Sequence, residues 1–319
     1  MKNLVIKECK NYQEWDEFIE KSPQHNFFLQ SDFFKFDLYD HHLFFLMRND
    51  KPIIGFPVFV NKKQEPSNIP FAYYQGISFS PDIIHLKYYR EFSWMRYAYE
   101  MICNFLIENF NGFYLDLHPS ILDIRFINWF FYKNNHLEYN TNVKYTAIIK
   151  NDNFNSIEEI RKIYRKDRIQ DLKYADKENF DITYDCDLIS FLNLMKETYK
   201  KNDETMTDDI LETIKFFFNN LGDKLGIISI KKKNKIVGSQ LFFCDKYSGH
   251  AVAQTTDTNF LNKGVSSLLT DSLINFIFKK KIKLLDFNGC NSINRADFKH
   301  SFGANPYLFF RIISENRNA

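Results

Sequence analysis

The sequence predicts an α/β chain with mixed (α+β) sheets, arranged as two tandem copies of one unit packed around a shared cleft. Three observations carry that expectation. Residues 44–60, FFLMRNDKPIIGFPVFV, form an apolar run, a polar turn at Asn49-Asp50-Lys51 and a second apolar run broken by Gly55. Residues 227–243, IISIKKKNKIVGSQLFF, repeat the plan with a turn at Lys232 to Asn234 and Gly238 in the corresponding place. Both read as β-hairpins. Second, a helix-like segment from Phe92 to Phe110 precedes Tyr114-Leu115-Asp116-Leu117, and another from Val265 to Phe278 precedes Leu284-Leu285-Asp286-Phe287. The order hairpin, strand, helix, strand thus occurs twice. Third, Asn151-Asp152-Asn153 interrupts the apolar pattern after Tyr145 to Ile149. Domains 1–152 and 153–319 are expected.

Composition allows this plan and narrows the functions. At 319 residues the chain exceeds a typical single domain. Hydrophobic residues make up 45% and aromatics 18%, enough for sizeable cores. With 42 basic and 40 acidic side chains, the net charge of +2 argues against a general electropositive coat for nucleic acid. Leu4-Val5-Ile6 is too short for a signal-peptide core, and no stretch approaches the roughly 18 apolar residues of a membrane span, so a cytoplasmic protein without stable membrane insertion is expected. The five cysteines, Cys9, Cys103, Cys186, Cys244 and Cys290, never form a Cys-x-x-Cys pair. Neither a disulfide framework nor a metal site is expected.

Residues 282–312, IKLLDFNGCNSINRADFKHSFGANPYLFFRI, have the layout of an active-site wall. The apolar run ends in the polar tip Asp286-Phe287-Asn288-Gly289. A helical turn with Phe298, Lys299 and Phe302 follows, closed by Gly303 at a C-cap position, and then a strand from Tyr307 to Ile313. Cys290 beside Gly289 is placed as a nucleophile would be, yet no histidine partner is evident.

This string resembles the C-terminal signature of the FemAB-like transferases, which have the acyltransferase (GNAT) fold and move acyl or aminoacyl groups onto amines. Their Asp-Phe-x-Gly and Phe-Lys-x-x-Phe-Gly elements are matched by Asp286, Phe287, Gly289, Phe298, Lys299, Phe302 and Gly303. Trp15, Phe18 and Gln30-Ser31 resemble the family's opening helix and the Gln-Ser after it. Arg168 to Lys177 resembles its basic helix, Arg-x-x-x-x-x-x-Ala-x-Lys, and Thr198-Tyr199-Lys200-Lys201 a later Thr-x-Lys-Arg element. The resemblance implies a first GNAT-like domain on the acceptor side and a second on the donor side.

In that fold an acyl-CoA pyrophosphate rests on the start of a helix, where unpaired N–H groups meet an anion. The corresponding stretch offers Thr256, Lys263, Gly264, Val265, Ser266 and Ser267. It departs from Arg/Gln-x-x-Gly-x-Gly/Ala at Leu261 and Ser266, which questions CoA; the bland alternative is a solvent loop. A helix from Ile160 to Glu178 groups Arg161, Arg165 and Arg168 on one face. It is either a solvated basic face or a place where Arg168 or Lys173 grips a diphosphate.

Amide formation needs removal of a proton from the amine and stabilisation of an oxyanion. Asp116 and Asp286 end equivalent strands and are candidate proton acceptors, or holders of the amine; Asp116 could equally cap a loop. Lys299 is the candidate cation, otherwise a surface lysine. Gln30, Tyr74, Gln75, His118 and Asn288 are candidate acceptor contacts, with His118 equally readable as a surface residue before Pro119. The leading expectation is an N-acyltransferase moving an acyl group from acyl-CoA, as co-substrate, to a small-molecule or nucleotide-linked amine of cell-envelope synthesis. One alternative uses aminoacyl-tRNA, with tRNA as partner, to extend a peptidoglycan-type peptide. Another is a non-catalytic binding protein on a decayed transferase fold.

Overall fold

A computed structural model describes residues 3–34, 39–84, 86–110, 112–135, 137–201 and 203–315. The chain divides into two compact units, Met1–Lys144 with Leu308–Ala319, and Tyr145–Tyr307. This differs from the expected 1–152 and 153–319 in two ways. The junction lies a few residues earlier, and the residues from 308 onward return to the first unit, a long-range pairing that no local pattern announces.

The first unit opens with β1 (Leu4–Glu8), α1 (Tyr12–Lys21), β2 (Asp40–Arg48), β3 (Lys51–Val60) and β4 (Ser78–Phe79). These strands form one sheet in the order β1-β2-β3-β4. Asn49 and Asp50 take φ of 47° and 60°, so the β2–β3 hairpin turns on two left-handed residues of the type Asn and Asp tolerate. After α2 (Pro81–Ile84) and α3 (Tyr88–Phe110) come β5 (Gly112–Asp116) and α4 (Arg125–Lys133). The core lies among the sheet, α3 and α4, around Leu46, Phe56, Ile102, Leu106, Phe113 and Ile127.

Strand β6 (Glu138–Lys150) begins in the first unit and ends in the second. The second unit continues with α5 (Ile157–Lys162), α6 (Lys166–Lys177), β7 (Asp181–Thr183), α7 (Leu188–Lys201) and α8 (Asp208–Asn220). Then come β8 (Leu225–Lys232), β9 (Lys235–Cys244), β10 (Ser248–Thr256), α9 (Val265–Lys279), β11 (Leu284–Gly289), α10 (Ile293–His300) and β12 (Asn305–Glu315). Its strands run in the order β6-β11-β10-β9-β8-β7. The β8–β9 turn again uses two left-handed residues, Lys233 and Asn234. Helix α9 buries Val265, Leu269, Leu273 and Ile277, a four-residue spacing that puts all four against the sheet.

The helix expected over 160–178 is two helices. Arg165 adopts an extended conformation, with ψ 147°, between α5 and α6, so Arg161 and Arg168 belong to different helices and no single basic face exists. The break lets α5 and α6 each reach α9.

The end of β12 pairs antiparallel with β5, setting Arg311 opposite Asp116. The guanidinium donates to both Asp116 oxygens at 2.7 Å, and Asp116 is 1% exposed. Burial pushes the Asp116 carboxyl up and Arg311 pulls it back. Asp116, expected as a proton acceptor, is therefore one half of a buried ion pair. Removing one partner strands the other, so Asp116→Ala should destabilise the first unit by about 3 kcal/mol. All three tryptophans, Trp15, Trp94 and Trp129, lie in this unit. The midpoint of urea unfolding followed by tryptophan fluorescence should fall accordingly.

Candidate functional site

The second unit's site is built where β10 and β11 part. The two strands pair in parallel for three positions, Ser248 with Leu284 to His250 with Asp286. Beyond that, the register of β10 against β9 shifts between Ala251 and Ala253, and that of β11 against β6 shifts between Asp286 and Gly289. Backbone groups at the end of β11 lose their ladder partners there, and side chains replace them.

Asn288, with φ 57°, is the pivot. Its amide nitrogen donates to the Ala251 carbonyl at 2.7 Å, bridging β11 to β10. That orientation turns Oδ1 towards His250 Nδ1 at 3.3 Å, and His250 Nε2 lies 3.1 Å from the Ser248 hydroxyl. The Asp286 carboxylate, 1% exposed, accepts the Asn288 N–H at 2.7 Å and the Thr146 hydroxyl. Asp286 thus fixes the left-handed turn.

That turn presents two carbonyls to one cation. Lys299, in the last turn of α10, donates to Asn288 O at 3.1 Å and Gly289 O at 2.6 Å. Burial lowers its ammonium to about 8, with Asp286 and Cys290 pulling the other way. Phe298 and Phe302 pack on each other at 5.2 Å, and Phe302 meets Tyr164 at 5.0 Å, which anchors α10. Gly303, at φ 82°, leaves the helix where a Cβ would lie 2.2 Å from Ile163. The sulfhydryl of Cys290 is pushed up by burial despite Lys299, unsuited to a nucleophile.

The start of α9 is arranged differently from an open anion cradle. Gly264, at φ 76°, packs so closely on α6 that a Cβ would lie 2.2 Å from the Asp171 carbonyl. The Ser267 hydroxyl, 1% exposed, donates to the Asp171 carboxylate at 2.6 Å, and Arg168 pairs with Asp167 and Asp171 while donating to Ser267 at 3.1 Å. Val265 is fully buried, and Thr256 meets Ser266 at 3.0 Å through their hydroxyls. Lys263 is bound to Glu178 at 2.7 Å. Arg161 grips Asp271 of α9 through two bonds, and Arg165 grips Asp167 and Asp297. Lys173 is exposed. Arg168, expected to hold a diphosphate, binds the protein's own carboxylates.

In the first unit Tyr74, at φ 57°, packs edge-on to His118 at 5.6 Å and to Phe309 at 5.2 Å. Gln75 is buried, with its amide donating to Phe28 O at 3.4 Å. The His118 Nδ1 accepts the Ser120 N–H at 3.1 Å, and Gln30 follows a short turn, its N–H on Phe27 O. Of the expected residues, the structure brings Asp286, Asn288 and Lys299 together in one network and Tyr74 with His118 in another. Thr146, Ser248 and His250 went unforeseen, because each is brought to the site by a strand remote in sequence. Among the described residues no group of three or more His, Cys, Asp or Glu is placed to hold a metal, and no helix is long and apolar enough to cross a membrane.

No family model matches the chain, and a search of curated proteins finds no match. Solved structures do match along the whole length. FemX is similar over 97% of this chain and 96% of its own, with a TM-score of 0.68 at 10% identity. A tandem GNAT protein from the clavulanic acid biosynthesis pathway covers 99% and 100%, with a TM-score of 0.57 at 8% identity. A GNAT-family acetyltransferase from Colwellia psychrerythraea covers 98% of each chain, with a TM-score of 0.53 at 10% identity. The chain thus shares the fold of FemX and of tandem GNAT proteins.

Proposed function

We propose that the protein transfers an acyl group from an activated donor to an amine, with Lys299 stabilising the oxyanion. The observation that supports this is the Lys299 ammonium, half-buried, lowered to about 8 and held by the Asn288 and Gly289 carbonyls. An ammonium has three N–H donors, so one remains for a substrate oxygen. Partly burying a cation is unfavourable for folding, and such groups concentrate at working sites.

In the reaction a neutral amine attacks the donor's carbonyl carbon, and negative charge develops on the carbonyl oxygen. The leaving oxygen departs as the carbonyl reforms and takes up, by way of solvent, the proton that the amine gives up. The remaining Lys299 N–H, fixed beforehand, meets the oxyanion without reorganisation. Asp286 is a positioning residue: its Oδ1 accepts both the Asn288 N–H and the Thr146 hydroxyl, and it keeps the turn that aims both carbonyls at Lys299.

The FemAB resemblance implies an acceptor of the cell-envelope kind, a nucleotide-linked amino sugar or a peptide amine. For the donor, one observation favours aminoacyl-tRNA over acyl-CoA. A pyrophosphate on the first turn of α9 would meet the Asp171 carboxylate seated on Ser267, anion against anion. An aminoacyl ester brings no pyrophosphate to that helix.

Charged tRNA mixed with the protein and a panel of nucleotide-linked amino sugars and lysine-containing peptides should be discharged only when an acceptor amine is present. Thiol release from acetyl-CoA would move the donor back to acyl-CoA, and turnover with neither donor would leave a binding protein and defeat the proposal. Lys299→Met should lower kcat roughly 10²- to 10³-fold, the value of one oxyanion donor. Its melting temperature should fall by only a few degrees, since removal of a partly desolvated charge offsets the two carbonyls left unmet. Because the protonated lysine is the active form, kcat should decline as pH rises through about 8. A rate that climbs through that range would make Lys299 a base instead.

A further inference from the structure

We propose that the first unit docks on a membrane surface that carries anionic phospholipid, through the face formed by α3 and α4. Two recesses open side by side on that face, one of about 260 Å³ and one of about 230 Å³, and Phe92 and Phe126 line both. The rings between them form one block: Phe92 meets Phe126 at 5.3 Å and Trp129 at 6.0 Å, and Phe126 meets Trp129 at 5.7 Å. All residues lining the recesses fall between Pro23 and Lys133. The proposal therefore goes beyond the transferase reading and does not rest on it.

Helix geometry builds the face. Tyr88, Phe92 and Arg96 recur at four-residue spacing on α3, and Arg125, Trp129 and Lys133 do the same on α4, so each helix contributes one stripe. Arg125 ties the stripes together: its guanidinium donates to the Tyr88 hydroxyl at 3.1 Å and lies 5.7 Å from the centre of the Trp129 ring. What stays outside is large and apolar in body: Tyr132 is 84% exposed, Tyr88 68%, Leu122 63% and Trp129 40%. The chain has 35 phenylalanines, yet among the described residues none is as exposed as these. Aromatic rings with a polar handle are the ones turned outward, and they are the residue types that settle at a boundary between lipid and water.

Charge decides what covers the face. Asp123 is taken by Arg125 at 2.7 Å and Glu100 by Lys133 at 3.6 Å. Lys87, Arg90 and Arg96 are exposed and have no ion-pair partner among the described residues, which leaves three cations against the single carboxylate of Glu91 over residues 87–100 and 122–133. Arg90 and Arg96 lie over the rings of Tyr89 and Tyr97 instead, at 5.7 and 4.8 Å. A guanidinium stacked on a ring keeps its N–H edge for a phosphate. An anionic bilayer answers both features at once: its phosphate oxygens meet the arginines, and its acyl chains conform to two open recesses while tyrosine and tryptophan sit at headgroup level. A nucleic acid would bring its phosphates against Glu91, Glu100 and Asp123 as well as the cations. A folded protein partner would need two projections matched to the recesses.

The test is sedimentation of the full chain with vesicles of phosphatidylcholine and with vesicles of an equal mixture of phosphatidylcholine and phosphatidylglycerol. The mixed vesicles should be bound at least about tenfold tighter. Arg90→Ala with Arg96→Ala should weaken that binding about 30-fold, and Leu122→Ser with Tyr132→Ser about tenfold. Brominated acyl chains should quench tryptophan fluorescence, and Trp129→Phe should remove the quenching, because Trp15 and Trp94 line neither recess. Circular dichroism checks that each variant is folded, and Arg96→Ala or Tyr132→Ser alone replaces a double variant that is not. No sedimentation with the mixed vesicles, equal binding of the two lipids, binding unchanged in either set of variants, or quenching that survives Trp129→Phe would each overturn the proposal. Binding of a single-stranded oligonucleotide in place of vesicles would give the face to nucleic acid and overturn it as well.

Discussion

Strand β11 stops pairing with β10 after Asp286, and every polar group freed by that parting has to be met from elsewhere. Asn288 meets two of these demands by turning left-handed, one towards β10 and one towards His250. Its own carbonyl and that of Gly289 are then left pointing at α10, where Lys299 takes them. The cation is thus a consequence of the strand break. A sheet that stayed zipped to its end would leave no carbonyls for a half-buried ammonium, and without that ammonium the turn would expose two unsatisfied acceptors.

The two units share a plan and have diverged in the details that matter for chemistry. The strand between hairpin and crossover helix has nine residues in β10 and two in β4. A long β10 gives β11 a neighbour to part from. In the first unit the equivalent wall is short, and aromatic side chains from α3 and α4 line the space beside it. The duplicated scaffold therefore offers a polar, cation-bearing end in one copy and an aromatic recess in the other.

Much of this was legible in the sequence wherever the cause is local. Asn49-Asp50 and Lys233-Asn234 announce tight hairpins because those residues accept positive φ. Asp286 to Gly289 and Phe298 to Gly303 mark a polar strand end and an anchored helix, and the structure joins them through Lys299. What the sequence hid depends on partners far along the chain. The break at Arg165 has no proline or glycine to signal it, because it is fixed by where Asp271 and Asp297 wait for arginines. The pairing of Asp171 with Ser267 turns an expected anion cradle into a packed helix start. Asp116 looked reactive at a strand end until Arg311, nearly two hundred residues away, was found opposite it.

The excursion of β12 has a consequence for how the chain is made. Ile312 is part of the first unit's core and Arg311 is the counter-charge for its buried aspartate. A ribosome must finish the whole second unit before those residues emerge, so the first unit waits, incomplete, while its successor is already able to fold. The first unit can be completed only after the second has been synthesised, and a nascent chain stalled after Tyr307 would leave β5 in want of its partner strand.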